Sequence, residues 1–193
     1  YQHLGQGDTA SVVAHYTVTD EHGGTGTSTL TIALAGTNDA PTAMADVKAG
    51  NEDTTLTGTV ATNDSDIDDG AALTYTLDAP VAGLAVASNG SYSFDAGDAA
   101  YQHLAAGATT DVVAHYTVTD EHGASSTSTL TITLTGTNDA PLAVADAAAG
   151  TENQVLTIDV LANDTDADDG HLFTLNAVST PNGKGTASVV NNK

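Results

Sequence analysis

The segment 101–141 reads YQHLAAGATTDVVAHYTVTDEHGASSTSTLTITLTGTNDAP, and it repeats residues 1–41 of the same chain. The two copies are identical at 31 of 41 positions, and both contain HYTVTDEHG and end in GTNDAP. The same 100-residue offset aligns residues 42–70 with residues 142–170, at 15 of 29 positions. An offset of this length is about the size of one β-sandwich domain. The chain therefore reads as part of a tandem array.

The repeat predicts the domain organisation. Residues 1–41 are the C-terminal part of one repeat, residues 42–141 a complete repeat, and residues 142–193 the N-terminal part of a third. Seven segments of the middle repeat alternate apolar and polar residues and are separated by turn residues, which is typical of strands. They lie near residues 43–48, 56–60, 73–77, 84–86, 92–94, 112–118 and 130–134. Asn89-Gly90 is a hairpin signal. Residues 99–106 could hold a single helical turn, and the predicted fold class is all-β.

Composition excludes several functions. The chain has 25 acidic residues, three lysines and no arginine, for a formal net charge of -22. Nucleic acids and anionic membranes need basic residues, so we expect neither as a partner. No apolar run is long enough to insert in a membrane. The absence of cysteine excludes disulfides and fits an exported bacterial protein.

The direction of the strands predicts where the acidic loops lie. If successive strands alternate in direction, the loops after the second and sixth strands share one end of the middle repeat. The turn after the first strand lies at the other end, where the seventh strand delivers the next linker. Each junction between repeats should therefore collect carboxylates from several segments of the chain.

The predicted ligands divide between two junctions. The first holds Asn38, Asp39, Asp64, Asp66, Asp68, Asp120 and Glu121, and the second holds Glu52, Asn138, Asp139, Asp164, Asp166 and Asp168. So many like charges repel unless a cation lies among them. Oxygen ligands without cysteine select a hard cation, and six to eight flexible oxygens favour Ca²⁺. The alternatives are solvated acidic turns, a rigid turn at Asn-Asp-Ala-Pro and a plain hairpin loop at residues 120–121.

The copied stretches HYTVTDEHG and TSTLTITLTGTNDAP resemble the VCBS repeat of large bacterial surface proteins. The stretch TENQVLTIDVLANDTDADDG is similar to cadherin-like and bacterial Ig-like modules. The resemblance implies Greek-key Ig-like sandwiches joined by short Ca²⁺-binding linkers, in adhesins of the RTX type exported by type I secretion. It also implies a ligand set of an early Glu, a D-x-D pair and an Asn-Asp-x-Pro linker. These map onto Glu52 or Glu152, Asp64/Asp66 or Asp164/Asp166, and Asn38-Asp39 or Asn138-Asp139.

These patterns predict a structural extender of a bacterial surface adhesin, secreted or displayed on the cell surface. Ca²⁺ would stiffen the rod, which would project a ligand-binding region for cell adhesion and biofilm formation. The alternative is a carbohydrate- or protein-binding module that is itself adhesive. We expect no enzymatic activity, because no G-x-S-x-G elbow or fixed Ser/His/Asp order is present. The expected partners are neighbouring repeats, and residues 142–193 of one molecule could complement residues 1–41 of the next, head to tail.

Overall fold

The computed structural model describes residues 1–180 and 185–191, and the described residues contain nine β-strands and no helix. The all-β prediction is confirmed. The strands are β1 (Thr9–Thr19), β2 (Thr25–Ala35), β3 (Asp46–Asn51), β4 (Thr55–Thr59), β5 (Thr74–Leu77), β6 (Leu84–Val86), β7 (Ser91–Asp95), β8 (Thr109–Thr119) and β9 (Ser125–Thr135). Accordingly, no helix able to cross a membrane occurs in this described part of the chain.

Two sheets form a cadherin-like β-sandwich from the seven strands of the middle repeat. One has the order β3-β9-β8-β5 and the other the order β4-β7-β6, while β1 and β2 form a separate antiparallel hairpin. Strand β3 runs parallel to β9. The Ala43 N–H lies 3.4 Å from Ser126 Oγ before β3 begins, and the Glu52 N–H donates to the Thr135 carbonyl, 3.0 Å away, just after it ends. The predicted sandwich is confirmed.

Strand β3 begins at Asp46 rather than at the predicted residue 43, and β9 begins at Ser125 rather than at residue 130. The Thr42 N–H donates to the Ser65 carbonyl at 2.7 Å, and the Met44 N–H donates to Asp64 Oδ1 at 2.7 Å. These residues therefore bond to the acidic loop before the chain joins the sheet. The region 99–106 forms successive turns rather than a helix, and Gly90, with φ of 81°, closes a loop longer than two residues.

By the 100-residue offset, residues 142–193 should contain counterparts of the first strands of the middle repeat, but the described residues among them form no strand. They contain one isolated bridge, between Leu142 and Thr165, and no strand. In the middle repeat the corresponding strands β3, β4 and β5 pair with β9, β7 and β8. Residues 142–180 and 185–191 belong to no sheet, so their alternation of apolar and polar residues is not accompanied by strands.

The chain divides into two compact units. The first contains Tyr1–Lys48, Leu56–Phe94 and Val112–Ile132, and its fully buried side chains include Tyr116, Phe94, Leu130 and Ile132. The second contains Ala49–Thr55, Asp95–Asp111 and Thr133–Lys193, and it buries Leu134, Ala96, Tyr101 and Leu104. The repeat boundaries at residues 41 and 141 stay a prediction.

Candidate metal centre

Main-chain hydrogen bonds hold each linker against an acidic loop. In the first unit the Asp39 N–H donates to Asp68 Oδ2 at 2.8 Å, and Thr42 exchanges two backbone hydrogen bonds with Ser65. The second unit repeats this arrangement exactly 100 residues later, with Asp139 donating to Asp168 at 3.1 Å and Leu142 bonded to Thr165. The main-chain N–H groups of the linkers thus hold the loop carboxylates beside the linkers.

Three carboxylates of the second unit converge. One oxygen from each of Glu52, Asp139 and Asp168 lies within 4.8 Å of the others. Glu52 follows β3 and is 1% exposed, and its Oε1 accepts a hydrogen bond from the Thr137 N–H. Its Oε2 is buried and has no hydrogen-bond partner, and the same is true of Asp139 Oδ2 and Asp168 Oδ1. Buried oxygens that lack donors are unfavourable unless a cation binds them, so this donor set fits a hard cation.

The pKa of Asp139 also indicates that this cluster fits a cation. Burial is the largest cause that raises the pKa of Asp139, and the negative charges of Asp53, Asp168 and Asp166 raise it further. Asp53 is held close because the Thr137 hydroxyl donates to its Oδ2 at 2.9 Å. Like charges thus make the ionised form of Asp139 less favourable here, and a bound cation would reverse that effect.

The first linker has a different set of contacts. The Asn38 side-chain amide donates to Asp120 Oδ2 at 2.9 Å, and this bond is the largest cause that lowers the pKa of Asp120. Asp64 Oδ2, Asp66 Oδ2 and Asp68 Oδ1 are buried without a hydrogen-bond partner. Among the described residues, however, Glu52, Asp139 and Asp168 form the one group of three carboxylates that meets the distance required of a metal site.

The remaining predicted ligands are placed as follows. Asp64 and Asp164 accept from the main chain at Met44 and Val144, while Asp66 and Asp166 accept from Asp68 and Asp168 within their own loops. Asn138 donates to the carbonyl of Asp139. Glu121 accepts from the Ala72 N–H at 2.8 Å, which lowers its pKa, and Glu152 is exposed. Glu121, predicted for the first linker, thus has one oxygen bound to a main-chain donor, Glu152 lies outside the group of three carboxylates, and the ligand role of every residue stays a prediction.

Sequence reasoning missed Asn63 and Asp53. Asn63 Oδ1 is buried and unpartnered, while its Nδ2 donates to the Ala45 carbonyl at 3.2 Å. Asn163 makes the corresponding bond to Ala145 at 3.4 Å. The identity of Asn63 and Asn163 at the 100-residue offset was a usable signal. The residue 100 positions after Asp53 is Asn153, so comparison of the repeats does not single out the charge of Asp53.

Comparison with known families identifies the domain family of this chain. Residues 38–136, about half of the chain, match the bacterial cadherin-like domain family, and residues 138–193 match the bacterial Ig domain family. The chain therefore belongs to the bacterial cadherin-like domain family. Cadherin-like domains generally bind Ca²⁺ and are typically non-catalytic structural modules, of a kind found outside cells. A comparison with curated proteins finds no match.

Solved structures similar to this chain include extracellular cadherin domains. Protocadherin gamma B7 domains 1–4 share 17% identity over 76% of this chain and 37% of that one, with a TM-score of 0.47. Mouse cadherin-23 domains EC22–24 share 14% identity over 67% and 42%, with a TM-score of 0.41. A SusE-like surface polysaccharide-binding protein from Bacteroides thetaiotaomicron shares 13% identity over 69% and 26%, with a TM-score of 0.34. The chain spans less than half the length of each, and the family assignment rests on residues 38–136.

Proposed function

We propose that this chain is a structural extender segment of a secreted bacterial surface adhesin of the VCBS and RTX type, stiffened by Ca²⁺ at its linkers. The observation that carries the proposal is Glu52, whose buried Oε2 has no donor and lies in a cluster with Asp139 and Asp168. A solvated acidic turn would not bury a glutamate to 1% exposure.

The cluster joins three parts of the chain. Glu52 comes from the turn after β3, Asp139 from the linker after β9, and Asp168 from the acidic loop that follows. These three residues would hold the ion, and Asn138, Asp164 and Asp166 lie in the same linker and loop to complete an oxygen set. The ion supplies positive charge that offsets the carboxylates. Without it their repulsion favours separation of the three segments, so Ca²⁺ would fix the linker.

Calcium fits this site better than other divalent ions. The donors are carboxylate and amide oxygens on flexible loops, which suit the six to eight ligands of Ca²⁺ better than the strict octahedron of Mg²⁺. Extracellular modules typically bind Ca²⁺ with Kd values of roughly 10⁻⁴–10⁻³ M. A site with a Kd in this range would be occupied in an extracellular environment, where Ca²⁺ is abundant.

Calorimetric Ca²⁺ titration of the full chain tests the ligand assignment. Asp139→Asn should abolish the heat of the tightest site or weaken it at least tenfold. Asp169→Asn is the matched control, because Asp169 lies in the same acidic loop as Asp168, is exposed and does not belong to the group of three carboxylates. Equal effects of the two substitutions, or no Ca²⁺-dependent heat in the unsubstituted chain, would refute the assignment.

Small-angle scattering tests the rod. We expect a larger maximum dimension with millimolar Ca²⁺ than with chelator, because a fixed linker holds the repeats extended. If neither the scattering profile nor the melting temperature changes on adding Ca²⁺, the extender proposal fails. The alternative, a directly adhesive carbohydrate- or protein-binding module, predicts that the chain binds a glycan array or captures a protein ligand with or without a change in shape.

A further inference from the structure

Thr137, in the linker after β9, is hydrogen-bonded to two consecutive acidic residues. Its N–H donates to Glu52 Oε1, and its hydroxyl donates to Asp53 Oδ2 at 2.9 Å. Glu52 belongs to the group of three carboxylates, whereas Asp53 does not belong to it and is exposed. The linker therefore holds Asp53 next to the candidate metal centre without making it one of the three carboxylates that form the centre.

The backbone at position 53 does not depend on the carboxylate. Asp53 has a φ of 63°, in the left-handed region that aspartate and asparagine adopt more readily than most residues other than glycine. The residue at the same position of the next repeat, Asn153, has a φ of 64°. The two repeats thus share this backbone conformation and differ at this position by one negative charge. Replacement of Asp53 by asparagine consequently removes the charge and keeps the turn.

The charge of Asp53 acts on the metal centre. Burial is the largest cause that raises the pKa of Asp139, and the charge of Asp53 is the next largest, ahead of the charges of Asp168 and Asp166. A negative charge that disfavours the anion of Asp139 attracts a cation bound beside that anion. The affinity of oxygen-ligand sites for Ca²⁺ depends on how many charges surround the ion. Asp53 is therefore placed to add negative charge around the site without adding a ligand oxygen.

We propose that Asp53, positioned by the Thr137 hydroxyl, determines how strongly this centre binds cations and how it discriminates between them by charge. The inference rests on the proposed Ca²⁺ site, in which Glu52, Asp139 and Asp168 each offer a buried oxygen that has no hydrogen-bond partner. Electrostatic attraction is proportional to the charge of the ion, so Asp53 favours divalent over monovalent cations. Because Asp53 is exposed, salt screens its contribution.

Calorimetric CaCl₂ titration of the full chain in about 20 mM and about 0.5 M KCl tests the role of the charge. Asp53→Asn should raise the Kd about two- to fivefold at low salt, as for other exposed charges, and have little effect at high salt. Asp111→Asn is the matched control. Asp111 is also exposed and accepts from a threonine hydroxyl, that of Thr133 at 2.6 Å, but it is not among the charges that act on Asp139. Its substitution should leave the Kd unchanged.

The charge of the bound ion provides a readout that a purely structural role of Asp53 would not change. With TbCl₃ in place of CaCl₂, the effect of Asp53→Asn on the binding free energy should grow with the ionic charge. A rise in Kd of about threefold for Ca²⁺ then becomes about fivefold for Tb³⁺.

A substitution in the linker tests how Asp53 is positioned. Thr137→Val keeps the N–H that donates to Glu52 and removes the hydroxyl that holds Asp53. It should weaken Ca²⁺ binding by no more than Asp53→Asn does. Combined with Asp53→Asn it should add nothing, because the two changes act through the same charge.

The outcomes separate this proposal from the Ca²⁺ site on which it rests. An unchanged Kd for Asp53→Asn overturns the proposal, as does an effect equal to that of Asp111→Asn or one that salt does not reduce. If Asp139→Asn still abolishes binding in that case, the three carboxylates remain the ligands. Absence of Ca²⁺-dependent heat in the unsubstituted chain refutes the site itself, and this proposal with it.

Discussion

Replacement of Glu52 by glutamine should change the stability of the second unit in opposite directions with and without Ca²⁺. Glutamine keeps an oxygen that can accept from the Thr137 N–H and removes the negative charge next to Asp168. Without Ca²⁺ the substitution therefore relieves repulsion. With Ca²⁺ it removes a ligand, because an amide oxygen is a weaker donor than a carboxylate. A purely structural glutamate would give the same change in both conditions.

The magnitudes follow from the distances in the cluster. Two unit charges 4.8 Å apart repel by roughly 1 kcal/mol at the dielectric constant of water and by about 3 kcal/mol at an effective constant of 20. At 10 mM Ca²⁺, a site with a Kd of roughly 10⁻⁴–10⁻³ M stabilises the folded state by about 1.4–2.7 kcal/mol. For a domain of this size, about 1 kcal/mol corresponds to a shift of roughly 4–8 °C in melting temperature.

Thermal unfolding in 10 mM CaCl₂ and in EDTA measures the change in melting temperature that the substitution causes with and without Ca²⁺. We expect Glu52→Gln to melt above the unsubstituted chain in EDTA and below it in Ca²⁺. Glu152→Gln is the matched control, since Glu152 occupies the same position of the next repeat and is exposed. It should follow the unsubstituted chain in both buffers. If Glu52→Gln shows the same Ca²⁺-induced increase as the unsubstituted chain, Glu52 is not a ligand.

Three further substitutions test the packing and electrostatics. Tyr116→Phe should lower the free energy of unfolding by about 0.5–1.5 kcal/mol in urea titrations, because it removes the donor to two partly buried acceptors, whereas Tyr16→Phe should have little effect because Tyr16 is exposed. Asp120→Asn should destabilise the chain at pH 7, and the difference should shrink as the pH falls below the unfolded pKa of 3.8, since a lowered carboxyl pKa stabilises above that value. Asp20→Asn keeps the equivalent loop and should give a smaller difference in the same pH series. Gly136→Ala should cost about 1–3 kcal/mol in thermal unfolding, because its Cβ would overlap two main-chain carbonyl oxygens.

Much of the fold could be predicted because each strand of the middle repeat carries its own alternating pattern. Phe94, Tyr116 and Ile132 lie on the buried face that this pattern indicates, and all are at most 1% exposed. The pattern does not determine whether a strand forms, because a strand also needs a neighbour to pair with. This is why residues 142–180 and 185–191 alternate without forming strands, and why β3 starts only where hydrogen bonding to the acidic loop ends.

The sequence predicts which segments of the chain meet at the candidate site. Strand direction places the turn after β3, the second linker and the loop around Asp168 at one end of the repeat, and the structure brings them together there. The sequence does not show which carboxylate oxygens are already used by main-chain donors. Glu121, predicted as a ligand at the first linker, already accepts a hydrogen bond from the Ala72 N–H, and the sequence gives no sign of it. Asp53 has a backbone φ of 63°, and its charge raises the pKa of Asp139. Neither property can be read from the sequence.

The joint between a linker and the following acidic loop combines backbone hydrogen bonds with bonds that loop aspartates accept from the linker, and this affects how such proteins evolve. Thr42 and Leu142 differ in side chain, as do Ser65 and Thr165, yet both pairs exchange the same two hydrogen bonds. The joint therefore requires the aspartates of the loop, while it tolerates different side chains at the two bridge positions. An exchange of repeats that keeps these loop aspartates therefore keeps the connection, whatever side chains stand at the bridge positions.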